Sequence, residues 1–348
     1  GICINFAYQT FVWSSEASIK AAVHCIIVGF SYVDNCDKKI YYSKGQQKVA
    51  KNINGYLCDA PNVFVEKRMH PICDVPEICL GGQPLDDGNL ILTPEEKEAL
   101  VKKEPQLAKY IRHFMMGKDF IERKPRFCFW LINASPKDIR TSSELLERIN
   151  KVKEFRSSSN RTSTLKAAET PMLFGAPFEC KSDYIAIPKV SSERRRYIPM
   201  DFLNSEIIPG DKLFCMQNAT LYQFGVLESN VHMAWMRAVC GRLKSDYSYS
   251  NTIVYNNFPW PCSLPSGEGR GEAIAQTAQA ILDARANYPD SSLADLYDPA
   301  TMPYDLLEAH RKNDRAVMQA YGFSTKMTES ECVARLFEMY ARMTKEKK

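Results

Sequence analysis

The chain opens with two nearly continuous apolar runs, ICINFAYQTFVW at 2–13 and AAVHCIIVGF at 21–30, joined by the short polar segment SSEASIK. Neither run alternates in the way a one-sided surface hairpin does, so both are expected to be central strands of a covered α/β sheet. KKIYYS at 38–43 offers a third strand. Residues 44–92 are irregular, with Asn, Pro, Gly and Cys at close spacing. Thr93-Pro94-Glu95-Glu96 is a helix start: a capping hydroxyl, Pro at the first helical position and acids in the first turn. That helix is expected to run to about Met116, with a break at Pro105. RFCFWLI at 126–132 is a buried strand, and residues 142–159 form an amphipathic helix with Leu145, Ile149 and Val152 on one face.

From 170 to 262 the pattern turns β-rich: SDYIAIPKV, RRYIPMDFL, KLFCMQ and ATLYQFGVLES, interrupted by one helix at NVHMAWMRAVCGRL. SLPSGEGRG at 263–271 is a linker by composition, and three helices follow it. The last begins TESE, with the Thr328 to Glu331 spacing of a capping box. The pattern as a whole predicts a mixed α/β fold with a helical C-terminal segment.

One stretch fits no core strand. In GRLKSDYSYSNTIVYNNFPWP, 241–261, Lys244, Asp246 and Ser248 alternate with Ser245, Tyr247 and Tyr249. As a strand it presents a donor, an acceptor and a small hydroxyl on one face, and tyrosines for packing on the other. A Lys and an Asp side by side make either a surface ion pair of little value or a pair of hydrogen-bonding groups aimed at a ligand.

Charge bears on that choice. The 348 residues carry a formal net charge of only +4, but residues 121–200 hold 16 Lys/Arg against 9 Asp/Glu. A basic middle segment is what a polyanion-binding face requires. Its densest run is SSERRR at 191–196. The 12 cysteines form no CxxC pair and stand mostly in apolar runs, as reduced thiols do; no His/Cys cluster has zinc spacing. No apolar span is long enough to cross a membrane. The chain starts without Met, directly in an apolar strand, as the C-terminal portion of a longer protein would.

HMAWMRAVCGRLKSDYSYSNTIVYNNFPWP and PKVSSERRRYIP resemble the target-recognition domain of the MmeI-like (type IIL) restriction-modification enzymes. SLADLYDPATMPYDLLEAHRKNDRAVMQAYG resembles their C-terminal helical segment, and INFAYQTFVWSSEASIKAAVHCIIVGF the last hairpin of their class I methyltransferase sheet. The resemblance implies three parts: residues 1–43 closing the methyltransferase domain, 44–262 reading DNA, and 263–348 forming the helical segment. It further implies a prokaryotic, cytoplasmic parent that methylates adenine N6 with S-adenosylmethionine and carries a nuclease upstream. The Asn-Pro-Pro-aromatic motif that holds the adenine, the glycine-rich cofactor loop and the nuclease motif are all missing from these 348 residues. The chain alone is therefore expected to bind double-stranded DNA without cofactor and without methylating it, and to contact the missing methyltransferase domain. The alternative is a degenerate, stand-alone specificity protein that docks a partner methyltransferase.

Within the family, alternate positions of the 244–248 strand are implicated in base reading. Here these are Lys244, Asp246 and Ser248. Lys donates to guanine O6 and N7, and Asp accepts from the cytosine amino group, so the expected target is a G·C pair. Arg194, Arg195, Arg196, Lys189 and Arg242 are the expected phosphate contacts, with Ser191, Ser192 and Arg237 as weaker candidates. YNNFPWP has the wrong order for the adenine motif and reads as a structural turn, although Asn256 and Asn257 remain candidates for touching the DNA backbone. His24 is expected in the core, His70, His113, His232 and His310 form no evident site, and Asp86 and Asp87 read as a turn rather than a metal site.

Overall fold

A computed structural model describes residues 1–14, 22–42, 45–261 and 269–345. The turn expected between the two opening strands and most of the 263–271 linker lie outside the described residues, as does the side chain of His24. The opening runs form β1 (Cys3–Ser14) and β2 (Ala22–Ser31), paired antiparallel from Cys3↔Ser31 to Ser14↔Ala22. β3 (Lys38–Tyr41) joins β1 in parallel and β4 (Gln47–Ala50) closes the sheet in the order β2-β1-β3-β4. β1 is central, between β2 and β3, but the expected cover is not met among the described residues. β2 is an edge, and Phe6, Trp13, Ile26, Ile27 and Phe30 are exposed.

A second unit is built on β6 (Ile91–Leu92), β7 (Ile111–Met115), β8 (Arg126–Phe129) and β12 (Ile208–Pro209), in the order β12-β7-β8-β6. Thr93 caps α1 (Pro94–Lys103) through a full capping box with Glu96. This helix is shorter than the sequence implies. Pro105 cannot continue the hydrogen-bond ladder, so Pro105–Tyr110 is a 3₁₀ turn and a strand follows. Short helices α2 (Gly117–Glu122) and α3 (Pro136–Thr141) lead to α4 (Ser143–Ser157), which buries Leu145, Ile149 and Val152 as its periodicity requires; α5 (Thr162–Ala167) follows. Arg156 on α4 is fully buried and donates to the carbonyls of Pro84, Leu85, Ala167, Thr170 and Leu173.

The main unit is an antiparallel sheet, β11-β9-β13-β5, of Asp201–Leu203, Tyr184–Pro188, Leu213–Gln217 and Ile78–Leu80. ATLYQFGVLES is not a strand: it forms α6 (Leu221–Leu227), started by a Thr220–Gln223 capping box. Gly225 lets this helix lie against α8 (Arg270–Ala286), since a Cβ there would stand 2.7 Å from Ile274 and 3.1 Å from Ala278. α7 (Asn230–Val239), short α9 (Leu293–Leu296), α10 (Tyr304–Ala320) and α11 (Glu329–Lys345) complete the unit. Trp235 of α7 packs against Phe337 and Tyr340 of α11, so one hydrophobic core runs from the sheet into the C-terminal helices.

His232 lies in that core with Nε2 3.0 Å from the Tyr249 hydroxyl, and burial pushes its pKa down to about 3. The unfolded chain takes up that proton near pH 6.5, whereas the folded chain resists it until far lower. The stability His232 protects is therefore complete above about pH 6.5 and is lost as pH falls, by about 2 kcal/mol at pH 5. Urea unfolding at pH 7 and pH 5 is expected to show a loss about 2 kcal/mol smaller in His232→Gln than in the parent chain. Equal losses would mean that another group carries the acid sensitivity.

Candidate nucleic-acid interface

A small fourth sheet assembles the residues singled out by sequence. β10 (Val190–Ser191) pairs with β15 (Asp246–Ser248), which pairs with β14 (Gly241–Leu243), in the order β10-β15-β14. Val190 stands opposite Ser248 and Ser191 opposite Tyr247. The arginine run and the 241–248 stretch, some fifty residues apart in sequence, thus meet on one sheet.

The 241–248 stretch is a hairpin and not the single strand expected. Leu243 pairs with Asp246, which leaves Lys244 and Ser245 as a two-residue turn. Lys244 sits at its tip, exposed, with φ of 56°, a conformation favoured by Gly and Asn. Lys244 and Asp246 therefore do not share a strand face: one is at the tip, the other at the start of the return strand. Beyond the turn the alternation holds. Tyr247 and Tyr249 are buried, while Asp246 and Ser248 are half-buried. The Tyr249 N–H donates to the Lys189 carbonyl, fixing the hairpin to the strand that leads into the arginine run.

That run forms a turn in which the Arg195 N–H donates to the Ser192 carbonyl. The Asp246 carboxylate accepts from the Glu193 N–H at 3.4 Å, joining hairpin and turn. The arginines point differently. Arg194 and Arg196 are exposed; Arg194 pairs with Asp298 (3.3 Å), and Arg196 lies 4.0 Å from the buried Asp314 carboxylate, which also accepts from the Tyr197 hydroxyl and the Asn230 N–H. Arg195 is half-buried, with Nη1 3.5 Å from the Ser191 hydroxyl; burial lowers its pKa, opposed by the charges of Asp246 and Asp298. The arginine run thus brings a cation within electrostatic reach of Asp246, which sequence spacing did not reveal. Arg242 lays its guanidinium 4.3 Å from the centre of the Tyr247 ring and donates to the Ser245 carbonyl, bracing the turn.

Several candidates are placed elsewhere. Ser191 is buried, and Ser192 is half-buried with its hydroxyl accepting from the Arg194 N–H. Asn256 and Asn257 are buried behind the hairpin and do not face a backbone ligand. Asn256 Nδ2 donates to the Arg68 carbonyl, and Asn257 Nδ2 to those of Glu66, Thr252 and Ile253. Asp86 caps its turn by accepting from the Leu90 N–H at 2.6 Å. No group of metal-ligating side chains occurs among the described residues, and no helix there is long and apolar enough to cross a membrane.

Three family descriptions cover this architecture: "MmeI, DNA-methyltransferase domain" matches residues 1–43, "MmeI, target recognition domain" 59–262 and "MmeI, C-terminal domain" 268–347. DNA methyltransferase A of Bacillus subtilis (strain 168) is 37% identical over 344 residues, covering 99% of this chain and 39% of that protein. The solved structure of the type IIL restriction-modification enzyme MmeI in complex with DNA is 45% identical, with a TM-score of 0.91 over 99% of this chain and 46% of the enzyme's chain. The chain thus spans less than half the length of either relative. With the hairpin and arginine turn lying inside the matched recognition segment, the chain belongs to the MmeI family and carries its target-recognition domain, its C-terminal domain and a short piece of its methyltransferase domain.

Proposed function

We propose that this chain is the sequence-reading part of a restriction-modification adenine-N6 methyltransferase and binds double-stranded DNA through the β10-β15-β14 sheet. The observation that carries this reading is the junction of the arginine turn with the hairpin on that sheet. Lys244, at the exposed tip, donates to guanine O6 and N7. Asp246, oriented by the Glu193 N–H, accepts from the paired cytosine, and Ser248 touches a neighbouring edge. Arg194 takes a phosphate by exchanging its Asp298 partner, and the exposed Arg196 turns outward from its long contact with Asp314 to take another, with Lys189 and Arg242 at the flanks. Arg195, half-buried against the Ser191 hydroxyl, stays in the turn and stiffens it.

The residues present do not fit S-adenosylmethionine. The described part of residues 1–43 is three strands with no glycine-rich turn between a strand and a helix, and the adenine-holding motif is missing from the sequence. Transfer chemistry is therefore assigned to the remainder of a cytoplasmic parent enzyme. Its methyltransferase sheet would cover Phe6, Trp13 and Ile26, which are exposed here. The division into 1–43, 44–262 and 263–348 is proposed on the same basis.

The test is a binding selection on random duplex DNA with the parent chain and with Lys244→Glu/Asp246→Arg. The parent is expected to enrich a motif, and the double variant to reverse one G·C pair within it. Each contact is worth about 1–3 kcal/mol of discrimination. An unchanged motif would remove Lys244 and Asp246 from base reading, and no motif at all would remove the DNA-reading function.

A further inference from the structure

We infer that Arg237 and Glu329 are positioning residues for this surface, so that the last helix of the chain sets the geometry with which the arginine turn meets DNA. This rests on the DNA-reading role proposed above. Each nitrogen of the Arg237 guanidinium holds a different element. Nε donates to the Tyr247 hydroxyl on β15 at 3.2 Å, Nη2 to the Arg196 carbonyl in the arginine turn at 2.8 Å, and Nη1 to the Glu329 carboxylate at the start of α11 at 3.0 Å. The Tyr247 hydroxyl in turn donates to the Glu193 carbonyl at 3.4 Å. One side chain therefore joins the reading hairpin, the phosphate-facing turn and the C-terminal helical segment.

Packing holds the two ends of the turn, at the buried Ser191 and Tyr197, but not its Arg196 corner. Beside that corner lies a cavity of about 250 Å³, lined by Arg196, Tyr197, Arg237, Thr328, Glu329 and Cys332 among others. A close-packed core fixes backbone position by contact on every side. A turn with space behind it is fixed by its polar tethers, and the Arg196 carbonyl has Arg237 as a tether. Glu329 neutralises that guanidinium and orients its fork, while its own side chain remains 54% exposed. It can thus be altered at little cost to folding. A Lys at 237 would keep the charge but offer a compact ammonium in place of a planar fork reaching three elements.

The experiment uses the full chain, with the duplex enriched by the parent chain and a random 30-base-pair duplex as probes. Glu329→Gln and Arg237→Lys are each expected to weaken binding of the enriched duplex about tenfold. Each is also expected to reduce the slope of log K against log salt by about one, the loss of one phosphate contact. A merely destabilised chain would lower the active fraction and leave that slope unchanged. In an Arg196→Ala background, Glu329→Gln is expected to add no further change in slope, because both act through the same turn. Parent affinity and slope in Glu329→Gln, or a slope change that simply adds to that of Arg196→Ala, would overturn the inference. Should Arg237→Lys fail to fold, Glu329→Gln decides alone. If the parent chain binds neither duplex, the DNA-reading role falls and this inference with it; normal parent binding with unaltered variants sinks only the inference.

Discussion

Replacing Arg156 with Met is expected to lower the folding free energy by about 3–5 kcal/mol. The guanidinium is fully buried and bonded to five carbonyls in two separate loops: Pro84 and Leu85 on one side, Ala167, Thr170 and Leu173 on the other, at 2.7–3.2 Å. Those of Leu85, Pro84, Ala167 and Leu173 are 2.7–2.8 Å long, within the range of charge-assisted bonds. A Met replaces the aliphatic stem but not the guanidinium, and leaves the five carbonyls without their donor. Arg156→Lys is expected to recover only part of the loss, since an ammonium has three donors and cannot span both loops. Urea unfolding of the three proteins measures this directly. A loss below about 1 kcal/mol in Arg156→Met would mean that water replaces the guanidinium, and that the loops are held by their own turns.

Arg285→Met is the second large effect, again about 3–5 kcal/mol, by a different route. Arg285 on α8 donates to the Glu228 carboxylate at 3.0 Å, the Met200 carbonyl at 2.6 Å and the Tyr297 hydroxyl at 2.8 Å. Glu228 is fully buried and also accepts from the Met200 N–H at 2.8 Å. Burial pushes the Glu228 carboxyl up to about 7 even with Arg285 beside it. Without the guanidinium a buried charge has lost its counterion, and the carboxyl must take up a proton or unfold the site. The double variant Arg285→Met/Glu228→Leu is expected to regain most of the stability, because a buried ion pair replaced as a unit by apolar groups is close to neutral. If the double variant is as unstable as the single one, the Met200 and Tyr297 bonds carry the energy.

Local chemistry made much of the fold legible. The caps at Thr93 and Thr328 act through a residue three positions on, and the stripe Leu145, Ile149, Val152 repeats within one helix, so a short window contains the whole signal. Thr220 carries the same cap, but ATLYQFGVL also alternates like a strand, and only burial against α8 decides in favour of the helix. The hairpin at 241–248 was hidden because its turn is Lys-Ser, without the Gly or Asn that such turns favour. Other features depend on distant partners. Asn256 is buried by the Arg68 carbonyl, 188 residues away, and Arg237 meets Glu329 across 92 residues. No local pattern encodes such pairs, so the recognition segment was readable from resemblance while the contacts inside it were not.

The core that runs from the central sheet through Trp235 into Phe337 and Tyr340 bears on how such a protein could acquire a new target. A recombination crossover placed in residues 262–268 would join halves with mismatched interiors, although the sequence there looks like an ideal seam. Exchange of specificity between relatives is instead cheapest at the two ends of the scale. Point changes at the exposed hairpin tip leave the buried tyrosines untouched, and wholesale transfer of the recognition segment with its helices keeps the interior intact. If the hairpin reads DNA as proposed, diversification is expected by substitution at Lys244 and its neighbours, or by transfer of the recognition segment and the C-terminal helices as one block.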